Sequence, residues 1–279
     1  MTYKADPQRW DGCLSLGFAH HNNTTHCILY QVQAPLKVQR PFYPEGTEVC
    51  HSVILHTAGG MVGGDRLNIN LQLKAQAQAL VTTAAAGKVY CSKGTVAEQT
   101  IAVQVAAGAY LEWLPQETIV FNGAMYQQEL RVELAAGAMW MGWDITRFGR
   151  TARGEKFLAG IWRSHTEVWQ QGQPLWIDRQ FLQGGTAMLD SPHGLAGQPV
   201  VGTLVWIGPV APELIAKARA LWTATNRQGE AGVTTLPQGL LCRYRGPASR
   251  EVRNWFIEVW NLLRLSCLER SACPPRVWQ

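Results

Sequence analysis

Imidazole, thiolate and carboxylate groups together suit a borderline divalent transition metal. Two stretches of this 279-residue chain gather them: His20-His21 with His26-Cys27, and Cys50-His51 with His56. Successive side chains of a strand point to opposite faces, so His20 and His21, or Cys50 and His51, do not readily share one ion. A histidine in a half-buried strand is also more often hydrogen-bonded than metallated. A stable closed metal site is therefore not expected, and Cys50 and His56 stand only as candidate ligands of a transient kind. Four carboxylates near glycine or turn residues, Asp65, Glu117, Asp144 and Glu155, raise a second chemistry. Two of them facing one cleft would suit glycoside hydrolysis, which needs a carboxyl pair at a defined separation.

Other chemistries find no motif. Gly59-Gly-Met-Val-Gly-Gly-Asp65 follows a strand-like segment and suggests a phosphate loop. Its spacing fits neither nucleotide fingerprint, and the residues after it alternate as a strand, so no helix N-terminus is available to hold a phosphate. There is no G-x-S-x-G elbow and no H-E-x-x-H pair. Catalysis by this chain is not expected.

The elements that must position these residues are mostly strands. Residues 67–81 read LNINLQLKAQAQALV, an apolar/polar alternation of period two that a helix would scatter over all its faces. The same period returns in Ile101-Ala-Val-Gln-Val105, in Leu130-Arg-Val-Glu-Leu134, at residues 140–145, and at residues 168–177, so strands dominate the first two thirds. A weak repeat accompanies them. Ala106-Ala-Gly-Ala-Tyr110 and Ala135-Ala-Gly-Ala-Met139 each follow an alternating strand, and Ala85-Ala-Gly-Lys-Val89 is a looser third copy. Strand, small-residue corner, strand is the pattern of a stacked β-coil; a sandwich with glycine corners would look similar. Two helices are expected late in the chain, at residues 212–222 and 249–269. The second would be capped by Ser249 and stopped by Pro274-Pro275. Residues 184–199, rich in Gly, Pro and small polar side chains, read as a long loop or seam.

Composition narrows the class. Hydrophobic residues make up 47% and charged residues 16%, which excludes a disordered chain and points to weakly polar, partner-seeking surface. The net charge of +5 comes from scattered basic residues, so no nucleic-acid partner is expected. The densest basic stretch, Arg243, Arg245, Arg250 and Arg253, reads as a solvated face or a contact for an acidic partner. Seven cysteines, odd in number and without a C-x-x-C pair, argue for a reducing compartment. Residues 1–10 contain no apolar signal core and no later run is long enough to span a membrane, so a cytoplasmic location is expected, with no membrane partner.

One resemblance covers nearly the whole chain. Leu36-Lys-Val-Gln-Arg-Pro-Phe-Tyr-Pro-Glu-Gly46 and His56-Thr-Ala-Gly-Gly-Met-Val-Gly-Gly-Asp-Arg-Leu67 resemble blocks of the UreD/UreH urease accessory proteins. Further similar blocks follow in order: Thr82-Thr-Ala-Ala-Ala-Gly-Lys-Val-Tyr90, the run from Leu111 to Ala124, Trp143-Asp144, Gly149-Arg150 with Gly154-Glu155, and Pro275-Arg-Val-Trp278. Cys91-Ser92 departs from the pattern, where a basic residue would be expected before the serine. The resemblance implies a single domain over residues 1–279: a mainly β fold of two layers of distorted, β-helix-like sheet with a few helices, two of them towards the C-terminus.

It also implies a function, that of a non-catalytic scaffold or chaperone. Such a protein binds urease apoprotein and the UreF and UreG accessory proteins and assists GTP-dependent nickel delivery to the urease active site. Nickel would be held only transiently, with no tightly bound cofactor, along an internal polar path. Asp65 and Asp144 match acidic family positions associated with that path; Glu117 and Glu155 are weaker matches. A conduit favours isolated oxygen ligands over a Cys/His cage, because the ion must also be released. Asp65 has a structural role open to it as well, capping the glycine-rich turn. The competing reading is a β-rich carbohydrate-binding module, suggested by 12 Trp residues and by Trp140, Trp143, Trp162, Trp169 and Trp176 on alternating strands.

Overall fold

The period-two alternation builds two β-sheets that face each other. The computed structural model describes residues 9–278; part of the amino-terminal stretch read above for a signal core lies outside the described residues. With strands numbered in chain order, the first sheet is ordered β14 (Gln173–Gln183), β13 (Ile161–Gln170), β11 (Met125–Leu134), β8 (Ala97–Val105), β5 (Arg66–Leu73), β1 (Asp11–His21) and β2 (Thr24–Gln33). The second is ordered β16 (Glu230–Leu236), β17 (Gly239–Gly246), β15 (Val200–Ile207), β12 (Met139–Phe148), β9 (Tyr110–Trp113), β6 (Gln78–Thr83), β4 (Val49–His56) and β3 (Leu36–Val38). Two short strands, β7 (Gly87–Val89) and β10 (Thr118–Val120), extend it beside β12.

Through the middle of the chain, the short β7 and β10 apart, each strand of one sheet is followed by a strand of the other, and neighbours within a sheet run parallel. This is a coil of stacked rungs. Its corners are the repeat read from the sequence: Ala106-Ala-Gly-Ala109 joins β8 to β9, and Ala135-Ala-Gly-Ala138 joins β11 to β12. Gly108 and Gly137 sit at φ +68 and +71, left-handed positions that suit glycine. The third copy is elsewhere than expected. Ala85-Ala-Gly-Lys-Val89 lies beyond β6, at the other end of the rungs, and the true stacked corner is Lys74-Ala-Gln-Ala77 between β5 and β6. There Gln76 takes the left-handed position at φ +62, so the glycine that marks the other corners is missing. The corners hydrogen-bond to one another, with the amide of Tyr110 donating to Ala77 O and that of Met139 to Ala109 O.

Alternation also sets the two cores. Leu67, Ile69, Leu71, Ile101, Val103, Leu130 and Val132 pack between the sheets, whereas Met141, Trp143, Leu204 and Trp206 point from the second sheet to its other face. That face is covered by α2 (Pro212–Thr223) and α3 (Ser249–Leu268), through Leu214, Val252, Phe256, Val259 and Leu263. A short helix, α1 (Thr186–Asp190), forms within the stretch read as loop, and β15 then continues the same sheet.

The ends of α3 differ from expectation. Ala248 is the N-cap and Ser249 is already helical and buried, its hydroxyl directed to Glu117 rather than to a backbone amide. The helix stops at Glu269, whose φ of +54 lets its amide and that of Arg270 return to Arg264 O. This left-handed cap ends the helix before the prolines are reached.

Candidate functional site

A cavity of about 280 Å³ lies between the sheets and crosses the strands instead of following them. It exists because several inward positions of the coil carry polar side chains where the alternation elsewhere places Leu, Ile or Val. On the first sheet, strand register puts Gln99, Gln128, Ser164 and Gln180 side by side on β8, β11, β13 and β14, with Thr166 and Asp178 on the next inward level. On the second sheet, Asp144, Thr203 and Arg243 are register partners on β12, β15 and β17. Two polar ladders thus face one another inside an otherwise apolar sandwich.

Asp144 is the centre of this arrangement. Its Oδ2 accepts from Gln128 Nε2 at 3.1 Å and from the Ser164 hydroxyl at 3.4 Å, and its Oδ1 accepts from Thr146 Oγ1 at 3.4 Å. Burial pushes the carboxyl up and these neutral donors pull it back, leaving it raised. A carboxylate held by long bonds to neutral donors, with no cation beside it, is an unsaturated oxygen ligand. Trp140 also lines the cavity, and its indole N–H is buried without a partner.

The remaining expected residues do not gather around Asp144. Asp65 is buried off the cavity, where its carboxylate accepts from the amides of Trp10 and Val62 at 2.9 and 2.8 Å. It therefore closes the glycine-rich turn, in which Gly64 has φ +95, while Gly63 is required for space: a Cβ there would lie 2.6 Å from the backbone oxygen of Thr95. His56 does line the cavity. Burial pushes its pKa down against the opposing charge of Asp65, and its Nε2 has no partner. Three strand spacings, about 14 Å, separate β4 from β12, so His56 and Asp144 do not hold one ion together.

Cys50 sits on the same strand face as His56 but six residues away, about 20 Å along a strand. It is buried with Ser52 and Cys27, and interaction with Cys27 and burial push its thiol well up. Glu155 is bound by Arg150, at 2.8 Å from Nε, and by the amide of Asn122 at 3.1 Å; the Arg150 contact holds its carboxyl down. Glu117 pairs with Arg253 and accepts from Ser249. Neither glutamate lines the cavity, though Gln116 and Thr118 do. Among the described residues no three His, Cys, Asp or Glu side chains cluster as a metal cage.

Sequence reading missed Asp178, Gln128, Ser164, Gln180 and Thr203. The available signal was a polar residue at an inward position of an alternating strand, as in Tyr126, Gln128, Leu130, Val132. Of the basic stretch read as a solvated face or an acidic-partner contact, Arg250 is exposed, whereas Arg243 pairs with Asp178, Arg245 with Glu230 and Arg253 with Glu117 within the chain. The tryptophans that suggested sugar stacking fill cores: Trp140, Trp143 and Trp162 are buried, and Trp169 and Trp176 are partly covered. Among the described residues no helix is long and apolar enough to cross a membrane.

Comparison with known proteins adds an independent line. A family profile described as UreD urease accessory protein matches residues 11–279. A protein of Trichormus variabilis named urease accessory protein UreD is 64% identical, over 100% of both chains. One of a Nostoc species with the same name is 66% identical over 97% of this chain and 96% of its own. One of Pseudomonas fluorescens, also so named, is 43% identical over 96% of this chain and 95% of its own.

Proposed function

The chain belongs to the UreD family of urease accessory proteins, and on that premise we propose that it is a non-catalytic scaffold of urease maturation that offers nickel a transient internal passage. It binds urease apoprotein and joins UreF and the GTPase UreG in the cytoplasm, and the ion moves through it without a resident site. The observation that carries this reading is the cavity with Asp144 in its wall. A conduit has to bind an ion firmly enough to admit it and weakly enough to release it, and one unsaturated carboxylate among amides and hydroxyls supports that demand. Seven free cysteines suit a reducing compartment.

Asp144 is the residue to test, because Asp65 closes a turn and its loss would disturb the fold as well as any path. The chain, or its Asp144→Asn variant, is co-expressed with tagged urease apoprotein, UreF and UreG. The tag is pulled down and urease activity is followed after adding nickel and GTP. Wild type should co-purify and support activation, and the variant should co-purify equally but activate at least about tenfold more slowly. A wild-type chain that neither assembles nor activates urease overturns the scaffold reading; an unimpaired variant overturns the passage.

A further inference from the structure

At the end of the cavity nearest β14, Asp178 in the lining is paired with an arginine beside it. Arg243 projects from β17 in the second sheet and donates Nη1 to Thr203 Oγ1 at 2.7 Å and Nη2 to Asp178 Oδ1 at 2.6 Å. Asp178 belongs to β14, in the opposite sheet, so the guanidinium spans the gap between the sheets with the Trp176 ring 5.9 Å from it. Asp178 is held further by Gln180 Nε2 at 2.6 Å. Among the described residues that line the cavity, the carboxylates are Asp144 and Asp178. One is unsaturated and the other is neutralised by a partly exposed arginine of the same chain.

We propose that Arg243 is an exchangeable plug: a divalent cation that has reached Asp144 displaces the guanidinium from Asp178 and leaves through the position it vacates. The inference rests on the passage reading above and adds its regulation. Three observations carry it. The plug and the travelling ion need the same carboxylate oxygens, so they compete by simple electrostatics. The Arg243 side chain is 39% exposed against 15% for Asp178, so the arginine can swing into water and keep its hydration while the carboxylate stays lining the passage. The neutral ligands beside the pair, Thr203 and Gln180, are the continuation of the ladders that hold Asp144. In the resting protein the plug keeps Asp178 from being an unpaired charge in a poorly solvated site, which would be costly. A dication replaces that single positive charge with two.

The test is calorimetric titration of nickel ion into the purified full chain, with thermal melts run alongside. Arg243→Gln removes the competitor and should tighten nickel binding by about tenfold. Asp178→Asn should weaken binding, and Arg243→Gln should have no effect in the Asp178→Asn background. Arg243→Lys keeps the charge but loses the two-pronged grip, and should give a smaller gain; it serves if the glutamine variant does not fold. The plug is overturned if neither Arg243 variant binds more tightly than wild type, or if the gain persists undiminished with Asp178→Asn. Binding that depends on Asp144 but ignores Arg243 sinks the plug alone. Binding indifferent to both Asp144→Asn and Asp178→Asn sinks the passage, and the plug with it.

Discussion

The second sheet carries buried charge on both faces, and the two faces treat it in opposite ways. On the helix side, fully buried Arg264 of α3 donates Nε and Nη2 to the two oxygens of Glu112 at 2.8 and 2.9 Å, and also pairs with Glu45. Glu112 accepts from the Tyr110 hydroxyl and the Trp260 indole, both at 2.5 Å, and Glu45 is bonded by His51 Nε2 at 2.6 Å. On the inner side, Asp144 has neutral donors, two of them at 3.4 Å, and empty space beside it. A network of short, charge-assisted bonds converging on one arginine specifies one arrangement and resists exchange. A carboxylate with spare capacity beside a cavity can accept a passing ion. The comparison teaches that burial alone does not mark a functional carboxylate; unused bonding capacity and room beside it do.

Breaking the helix-side network should have the largest effect. Arg264→Met keeps much of the side-chain length but leaves Glu45 and Glu112 facing each other without a cation. Removing one partner of a buried pair typically costs about 3–5 kcal/mol, and chemical denaturation at neutral pH should register a loss of that size. A loss below about 1 kcal/mol would show the network to be no stronger than a surface pair and would erase the contrast.

Acid should loosen the same network next. Burial pushes the Glu45 carboxyl up, but the bonds from His51 and Arg264 outweigh it and hold the pKa down to about 2, against 4.5 for a free glutamate. A group depressed on folding contributes stability that is fully present above its unfolded pKa and is lost as pH falls through the folded one. The window is therefore from about pH 4.5 down to about 2, and the loss should reach roughly 3 kcal/mol. Melts of wild type and Glu45→Gln should differ at pH 7 and converge towards pH 2; a constant difference would place the depression elsewhere.

How much of this contrast the sequence discloses depends on whether a feature is local. Alternation finds most strands, and the Ala-Ala-Gly-Ala corners at 106–109 and 135–138 reveal the coil, because glycine at a left-handed corner is a local demand. Gln76 meets that demand without glycine, so its rung is hidden. The face of α3 bearing Val252, Phe256, Val259 and Leu263 is legible from its period, but buried Arg264 is not, since its partners lie 152 and 219 residues away. Asp144 was singled out by resemblance. Asp178 and Arg243 could be recognised as a pair only once strand register had brought positions 65 residues apart together.

The smallest effect sharpens the comparison most. A carboxyl raised on folding behaves with the opposite sign from Glu45: its ionised form is the disfavoured one in the folded protein, so stability is highest while it is protonated and falls as pH rises through the folded pKa. Asp144 is such a group, raised by burial. Asp144→Asn keeps the shape and the acceptor oxygen while removing the charge. At neutral pH it should not lower the melting midpoint, with any change below about 1 kcal/mol. What gain there is should vanish in acid, where wild-type Asp144 is already protonated. Melts of the two proteins across that range check the sign. A variant clearly less stable at neutral pH would mean that the charge of Asp144 is satisfied in the resting fold, as Glu112 is, and the inner face would then be a second staple instead of a passage.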